Sequence, residues 1–431
     1  MILRKSLSLC LALVMLLASV AYAADGDPVK LTYYNTSAEV NAMFETMFAR
    51  YNELYPNVAI ELIPTGVGQG QQEKLQSLYA SGNAPSFMNV DPANVLEYKE
   101  HLVPFSAQGQ PWLEYLSTDA LSAGTFDGDI YGVGFTTQGY GLIYNKRVVE
   151  GVIPDFDPTT INTRDALEAF FITLDEAGVP PTMLHGANWS LGSHYLGLSY
   201  AAHGPDTESG KNFIASLITG GQSIADDAIW QGYMDTFDLL VKYNYNKPDP
   251  LVGDINIDDA ALATGKSATY FMGDWIWSII GPMENRDNDF GYIPIPWSNN
   301  PEDYGNTQVA VTLPKLMCVN ASQSTLQQQQ AAFDMLGWML ADPEGQEFLI
   351  SSGFALPASN VREVDYNSAT ASIQAYASAG KSINLGCFVY LTGDAWAQTG
   401  DLMLQYVVGV IDRAQLAEGI NTYWQGQKPI E

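Results

Sequence analysis

The alternation of strand-like and helix-like segments early in the chain is the feature that most constrains its fold. Lys30–Tyr34 alternates β-favouring residues, and a helical pattern follows it over Ala38–Tyr55. The apolar stripe of this helix consists of Met43, Met47, Phe48, Tyr51 and Leu54. A second strand (Val58–Ile63), a helix through Tyr79 and a third strand (Ser86–Val90) come next. Strands and helices that alternate at this spacing predict an α/β fold with a mostly parallel, helix-covered sheet.

The length of the chain bears on the number of domains. At 431 residues it is too long for one ordinary hydrophobic core, so two domains are expected. Its 38 glycines and 22 prolines are scattered rather than concentrated, which is typical of a folded globular protein.

The N-terminal segment has the pattern of a signal peptide. Arg4 and Lys5 precede the apolar run Leu7–Val20, and Ala21-Tyr22-Ala23 has the small-x-small form of a cleavage site. We therefore predict a signal peptide over residues 1–23, cleavage after Ala23, and export. Cys10 lies inside the apolar run without the small residues that a lipidation site requires, so a chain free in a periplasm is expected. No later apolar run approaches the roughly 20 residues of a membrane helix.

The charge of the chain excludes some partners. Loss of the two basic residues in the signal segment takes the net charge from −29 to about −31. A surface this acidic argues against nucleic acid and against anionic membranes. It does not identify a ligand, because solubility alone explains an acidic exported protein.

The stretch GKSATYFMGDWIWSII, residues 265–280, predicts a strand, a break and a helix. Ala268–Met272 is compact and apolar, which suits a buried strand. Gly273 allows the chain to turn, and Asp274 is placed to cap a helix that starts near Trp275. Trp275 and Trp277 point to different sides of such a helix, so one can pack in the core while the other faces a cleft. Two core tryptophans are the alternative.

This stretch resembles the GK-A-M-x-x-G-x-W segment of extracellular solute-binding proteins that serve carbohydrate ABC transporters, including the maltose-binding type. Further similar segments follow in the same order as in that family: YYNTSAEVNAMFETMFARYNELYPNVAIELIPTG, KLQSLYASGNAPSFMNVDPANVLEYKEHLVPF, DGDIYGVGFTTQGYGLIYNKRVVEG, VAVTLPKLMCVNAS and AAFDMLGWMLADPEGQEFLISSGFALPAS. The resemblance covers most of the mature chain. Residues 154–221 and 382–399 are less similar, and these are where the family varies with its ligand.

The resemblance implies a type II-like periplasmic binding protein with two α/β lobes and a ligand cleft between them. We expect an N-terminal lobe of residues 24–137 plus 312–357 and a C-terminal lobe of residues 138–311 plus 358–431. Three hinge crossings are expected near residues 137–142, 308–313 and 356–362. Cys318 and Cys387 fall in different lobes, where a disulfide would lock the cleft, so we expect them to be unpaired.

Candidate ligand-binding residues lie where a carbohydrate site needs flat apolar faces and side chains that both donate and accept hydrogen bonds. In the first lobe and at the first crossing these residues are Tyr34, Asn35, Asn89, Asp91, Thr136, Gln138 and Tyr140. In the second lobe they are Trp189, Asp274, Trp275, Asn306 (with its neighbours Gly305 and Thr307) and Trp396. The resemblance places Trp275 as the sugar-stacking tryptophan. It also places Gln138 where the maltose-binding type has a sugar-contacting carboxylate. A core or capping role is the alternative for each residue.

The set contains no Lys or Arg, which favours a neutral sugar or oligosaccharide over phosphate or sulfate. A polyamine remains an alternative through Asp91 and Asp274. As implied partners we expect the permease subunits of an ABC transporter, with the chain itself a monomer. No cofactor is expected.

Other functional patterns are weak. His185, His194 and His203 are nine residues apart, which places neighbours on opposite sides of a helix and disfavours a zinc pair. Asp254-x-Asn256-x-Asp258 lacks the glycine and glutamate of a calcium loop, so helix capping is the better interpretation. Gly66-x-Gly68-x-Gly70 lacks the dinucleotide spacing. Asp127 and Asp129 indicate a turn rather than a glycosidase pair, so we predict no catalysis, with a secreted carbohydrate-processing enzyme as the alternative.

Overall fold

The computed structural model describes residues 27–66, 70–247, 249–391 and 394–430. The predicted signal peptide and its cleavage site lie outside these residues, as does part of the Gly66–Gly70 loop.

The first sheet contains the three strands predicted near the N-terminal end. Val29–Tyr34 pairs in parallel with Val58–Ile63 and with Phe87–Val90, so the expected α/β arrangement is confirmed. Two more strands complete the sheet: Leu316–Val319 is antiparallel to Phe87–Val90, and Val133–Gly134 is antiparallel to Leu316–Val319. The full order is Val58–Ile63, Val29–Tyr34, Phe87–Val90, Leu316–Val319 and Val133–Gly134.

The helix Asn41–Leu54 shows how the sequence pattern packs on this sheet. Phe44, Met47, Phe48 and Tyr51 are buried in one core cluster with Tyr33 and Phe87 of the strands. Leu54 does not join this cluster, because it is the last residue of the helix and is 38% exposed. The predicted stripe is therefore correct for Met47, Phe48 and Tyr51, while Met43 is only partly buried and the buried Phe44 was not predicted.

The second sheet is built around Gln138–Asn145, a strand whose eight residues are all buried. Three strands pair with it in antiparallel orientation, and a fourth is parallel to one of them. These strands are Thr269–Gly273, Phe290–Ile293, Val309–Thr312 and Ser382–Asn384. A separate core cluster of large buried side chains, including Trp230 and Trp424, packs on this sheet.

The chain passes between the two sheets at several places. It leaves the first sheet after Gly134 and enters the second at Gln138, and it returns between Thr312 and Leu316. Thr137 also donates a backbone hydrogen bond of 2.7 Å to Ala355, which follows the helix Pro343–Ser351. The positions of the hinge and the lobe boundaries themselves stay predictions.

Helices make up much of the rest of the described chain. The α-helices are Asn41–Leu54, Gln71–Ala80, Pro92–Tyr98, Thr118–Ser122, Lys146–Glu150, Arg164–Glu176, Leu196–Ala201, Thr207–Thr219, Ala228–Lys242, Ile255–Ala263, Trp277–Ile280, Leu326–Ala341, Pro343–Ser351, Ser368–Ser378, Ala395–Val407 and Arg413–Gln425. Trp189–Tyr195 is a π-helix. The 3₁₀ helices are Ala38–Val40, Lys99–His101, Phe105–Gln108, Pro111–Tyr115, Pro158–Thr160, Ile224–Asp226, Asp274–Ile276 and Gly386–Tyr390. None of the helices described is long and apolar enough to cross a membrane.

Two local predictions are confirmed. Asp254 caps the helix Ile255–Ala263, since its carboxylate accepts hydrogen bonds from the backbone N–H groups of Asn256 and Ile257. Asp127 and Gly128 form the turn of a short hairpin, and both have positive φ angles, of 54° and 89°. Cys318 and Cys387 are free, buried thiols in different core clusters.

Candidate functional site

Four aromatic side chains converge near the junction of the two sheets. The ring of His194 lies at their centre, with its centroid 4.6 Å from that of Tyr140, 5.1 Å from that of Trp275 and 5.4 Å from that of Trp189. Tyr140 and Trp275 are 6.2 Å apart. We call these four residues the aromatic cluster. Three of them were predicted from the sequence; His194 was considered only as a metal ligand.

Strand register explains why Trp275 meets Tyr140. Tyr140 pairs directly with Gly273, the last residue of its strand, and Trp275 follows two residues later. The indole folds back over the strand end, because a Cβ on Gly273 would lie only 2.0 Å from the ring. Trp275 is half-buried and packs against the core clusters of both sheets. It thus joins the two halves of the molecule.

Asp274 does not cap a helix, contrary to the sequence prediction. It is the first residue of the 3₁₀ helix Asp274–Ile276, and its Oδ1 instead accepts a hydrogen bond of 3.1 Å from the backbone N–H of Gly139. Its Oδ2 is buried and has no hydrogen-bond partner within the described chain. Burial raises the pKa of this carboxyl group to about 7. Asp274 therefore ties the segment that carries Trp275 to the central strand of the second sheet.

Gln138 and Thr136 lie on the segment that joins the sheets. Both are buried, and Gln138 pairs with Thr312 in the second sheet. Gln138 and Tyr140 are two residues apart on one strand, so their side chains share a face. This places Gln138 on the same side of the strand as the aromatic cluster.

The π-helix Trp189–Tyr195 carries two members of the cluster. Because a π-helix bonds residue i to residue i+5, Trp189 and His194 lie one turn apart on the same side. The π-helix packs tightly on the helix Ala395–Val407: a Cβ on Gly192 would lie 2.1 Å from the carbonyl oxygen of Trp396. The positions of Trp189, His194 and Trp396 are therefore coupled.

Trp396 faces residues of the first sheet across a narrow crevice. The crevice is lined by Tyr34, Thr36, Gln71, Gln72, Leu75, Val90, Asp91, Asn94 and Trp396. The Tyr34 hydroxyl donates a hydrogen bond of 2.5 Å to the carbonyl oxygen of Gln71. The crevice thus brings together three predicted residues, Tyr34, Asp91 and Trp396, from both halves of the molecule.

A lysine that the sequence analysis did not include lies in this region. Lys315 Nζ is 2.8 Å from Asp91 Oδ1. Glu39 is also close enough to be influenced by Lys315, although burial dominates and raises the pKa of Glu39. The candidate set itself contains no Lys or Arg, but Lys315 lies beside one of its members. Because Asp91 is already paired, it is a weaker site for a cationic ligand.

Three predicted polar residues organise loops. Asn35 and Asn89 are fully buried, and their amides bond within the segment 35–41: Asn89 accepts from the N–H of Thr36, and Asn35 from that of Ser37. Asn306 accepts a hydrogen bond of 2.8 Å from the N–H of Trp297. It also donates one to the carbonyl oxygen of Asn300, in the turn that follows Trp297. The structure thus places these three side chains in backbone-supporting bonds rather than in the aromatic cluster.

The histidines show no metal arrangement. His185 bonds Asp258 and His203 bonds Asp227, each at 3.0 Å, and the two pairs are separate. Across the described part of the chain, no group of three His, Cys, Asp or Glu residues could hold a metal ion.

Comparison with known proteins supplies the family context. Residues 46–374 match the family described as bacterial extracellular solute-binding protein. A curated relative, an uncharacterized ABC transporter extracellular-binding protein of Pyrococcus horikoshii, is 24% identical over 278 residues, which are 62% of this chain and 60% of that protein. The match therefore spans less than two thirds of the relative.

Solved structures share the fold over nearly the whole chain. A chitin oligosaccharide binding protein superposes with a TM-score of 0.78 at 18% identity, covering 93% of this chain and 98% of that one. The protein RafE in complex with raffinose gives 0.77 at 18% identity, covering 92% and 99%. Maltose-bound MalE3 of T. maritima gives 0.73 at 15% identity, also covering 92% and 99%. At these identities the likeness shows the two-lobe fold alone.

Proposed function

Because the chain belongs to the family of bacterial extracellular solute-binding proteins, we propose that it captures a neutral sugar or oligosaccharide between its two lobes and presents it, chemically unchanged, to the permease of an ABC import system. The proposal includes export after cleavage at Ala23, a periplasmic location without lipidation, and a monomeric chain. The lobes are taken as residues 24–137 plus 312–357 and residues 138–311 plus 358–431.

The aromatic cluster is the observation that carries this proposal. A sugar ring presents flat C–H faces that stack on aromatic side chains, and Trp275 offers such a face at the junction of the two sheets. Trp189 extends the aromatic surface beside His194, and the buried ring of Tyr140 packs against His194 and supports it. Gln138 and Asp91 are the predicted side chains that would bond the hydroxyl groups of a sugar.

The proposed mechanism is hinge closure. The closed arrangement is favoured only to the extent that the ligand contacts both lobes, since a ligand shifts an equilibrium by its difference in affinity for the two states. Tyr34 and Asp91 would contribute from one side, and Trp275, Trp189 and Trp396 from the other. The permease would then recognise the closed form.

The two alternatives have less support. A polyamine would need free carboxylates beside aromatic rings, but Asp91 is paired with Lys315 and Asp274 is buried beneath Trp275. A glycosidase would need two carboxyl groups about 5–10 Å apart around a scissile bond. Asp127 and Asp129 form a hairpin turn, where Asp127 pairs with Lys99 and Asp129 accepts a hydrogen bond from Ser106.

Thermal unfolding across a panel of ligands tests the proposal. The panel contains raffinose, maltotriose, chitin oligosaccharides, spermidine and amino acids, added to the full exported chain. A ligand at 100 times its Kd adds about 2.7 kcal/mol to the stability of the native state, which is a visible rise in Tm. A rise with one sugar series that persists in high salt supports the proposal. A response to spermidine alone, weakened by salt, would transfer the function to polyamine binding.

Incubation with the same oligosaccharides separates binding from catalysis. We expect no shorter products and no new reducing ends after prolonged incubation. The appearance of either would make the chain an enzyme.

A further inference from the structure

We propose that His194 contacts the ligand directly and supplies a hydrogen bond to a sugar hydroxyl from within the aromatic cluster. This inference rests on the proposed sugar-binding function and adds a specificity residue to it. It departs from the sequence analysis, where His194 was one of three evenly spaced histidines considered for a metal site.

The hydrogen-bonding state of His194 sets it apart from its neighbours. The rings of His185 and His203 are each bonded to a buried carboxylate. The His194 ring has no hydrogen-bond partner within the described residues, although its backbone carbonyl accepts a bond of 3.3 Å from the Tyr140 hydroxyl. Its ring nitrogens therefore have unused hydrogen-bonding capacity in the described chain, while its backbone carbonyl is held in place.

The position of the ring fits a ligand that stacks on Trp275. The imidazole lies against Tyr140 with an angle of 29° between the ring planes, while Trp189 meets it at 79°. His194 as a residue is half-buried rather than fully enclosed. A group bound against Trp275 would meet the ring of His194, whose centroid is 5.1 Å away.

The protonation state of His194 suits a neutral ligand. Burial, with a smaller contribution from the nearby charge of Lys315, lowers its pKa to about 3. A neutral imidazole offers one N–H donor and one nitrogen acceptor, which matches the donor and acceptor of a hydroxyl group. Lys315 immediately precedes the strand Leu316–Val319 of the first sheet, so its influence on His194 comes from the part of the chain that enters that sheet.

The π-helix explains the position of the His194 ring. Single π-turns inside helices occur often at functional sites, since they displace side chains from α-helical positions. Here the π-helix is held by the contact of Gly192 with the backbone of Trp396, and by a 3.0 Å hydrogen bond from Asn188 to Asp401. The displacement brings the His194 ring beside Trp189.

The first test is the affinity of two variants for whichever of raffinose, maltotriose or chitin oligosaccharide binds the wild-type chain. His194→Phe keeps the aromatic ring and removes both nitrogens, so we expect Kd to rise about 10-fold or more, as when a site loses the partner of a buried ligand hydroxyl. His194→Gln keeps a donor and an acceptor and should lose less. His203→Gln is the matched control, because His203 also stacks on a ring, that of Phe213, but lies outside the cluster. Near-wild-type affinity of His194→Phe would overturn the inference.

The second test measures the wild-type chain itself and uses a variant only to assign its signals. The chain has four histidines, so the ring nitrogen signals can be followed by long-range ¹H–¹⁵N NMR and assigned with His194→Phe. We expect the His194 signals to shift when the sugar is added, while those of His101, which stacks on Tyr79, do not. Unmoved His194 signals in a chain that binds sugar would reject this inference alone. Failure of the wild-type chain to bind any of the three sugars would reject the proposed function and this inference together.

Discussion

The position of the Trp275 side chain depends on the two residues that precede it. Gly273 leaves room for the indole to fold back, and Asp274 fixes the start of the 3₁₀ helix to Gly139. The tryptophan itself contacts core residues of both sheets. Because of these contacts, the surroundings of Trp275 depend on how the two sheets are placed relative to each other. The same indole can also stack on a sugar ring.

Replacement of Trp275 by alanine should weaken sugar binding. Loss of a stacking anchor is expected to raise Kd by roughly 10- to 100-fold or more. Isothermal titration with the best sugar of the panel measures the change. Trp277→Phe is the control, because Trp277 lies two residues away but stacks with Arg286 and meets Phe290. Unchanged affinity in a folded Trp275→Ala chain would remove Trp275 from the site.

Asp274 should make the stability of the ligand-free chain depend on pH. Its pKa is raised to about 7 in the folded chain, above the value of the unfolded chain. The folded state therefore binds a proton more tightly, and this contribution to stability is lost as the pH rises towards about 7. Asp274→Asn removes the charge and keeps an oxygen for Gly139.

The Asp274→Asn variant should have a higher Tm than the wild-type chain at about pH 8. At that pH the buried wild-type carboxyl group must either hold a charge or take up a proton from solution, and both cost stability. The difference should shrink at about pH 5, where the wild-type carboxyl is already neutral. Thermal unfolding at both pH values measures it. A difference that does not change with pH would show that Asp274 does not titrate as described.

At the scale of elements, the π-helix Trp189–Tyr195 and the helix Ala395–Val407 approach each other so closely that no side chain fits between them at Gly192. Gly192→Ala would place a Cβ 2.1 Å from the carbonyl oxygen of Trp396, and backbone cannot move aside as a side chain can. We expect a loss of about 1–3 kcal/mol in the free energy of unfolding, as for overpacking, together with weaker sugar binding.

Gly66→Ala serves as the control for this variant, because a Cβ at Gly66 would meet no atom of the described residues within 4 Å. Denaturant unfolding measures both variants. Equal stability of Gly192→Ala and the wild-type chain would mean that the two helices are not held together by this contact.

Much of the element order could be predicted from the sequence, because local patterns determine it. Met47, Phe48 and Tyr51 follow the predicted helical period, and the strand Val58–Ile63 has the predicted bounds. The π-helix could not be predicted in this way, since it depends on how Gly192 fits another helix two hundred residues later in the chain. Without it, Trp189 and His194 would not be recognised as neighbours.

The candidate site was only partly predictable, for a similar reason. Lys315 lies beside Asp91 because Leu316 pairs with Val90 in antiparallel register, a pairing between distant parts of the chain. Asn35, Asn89 and Asn306 end strands or precede them, as ligand-binding residues do, but the structure uses their amides to support loops. Sequence position indicates which residues lie near a sheet edge; tertiary contacts decide what each side chain does.

At the scale of the whole molecule, the two halves also meet away from the aromatic cluster. The helix Pro92–Tyr98, which follows the first sheet, packs against the 3₁₀ helix Gly386–Tyr390. At this contact the pKa of Glu97 is raised, first by partial burial of its carboxylate and then by the negative charge of Asp394. Like charges on opposite halves oppose the approach of those halves.

Glu97→Gln should therefore favour closure and tighten sugar binding. Glu97 is exposed, so solvent screens the repulsion and the gain should be small, about two-fold in Kd at low ionic strength. It should vanish near 1 M salt, where the Debye length falls to about 3 Å. Glu100→Gln removes an exposed charge nearby and serves as the control.

Since the raised pKa means that Glu97 takes up a proton more readily in this arrangement, the advantage of the variant should also fade as the pH drops and the wild-type carboxyl becomes neutral. Titrations at two salt concentrations and two pH values distinguish this from a direct contact with ligand, whose loss would weaken binding under every condition.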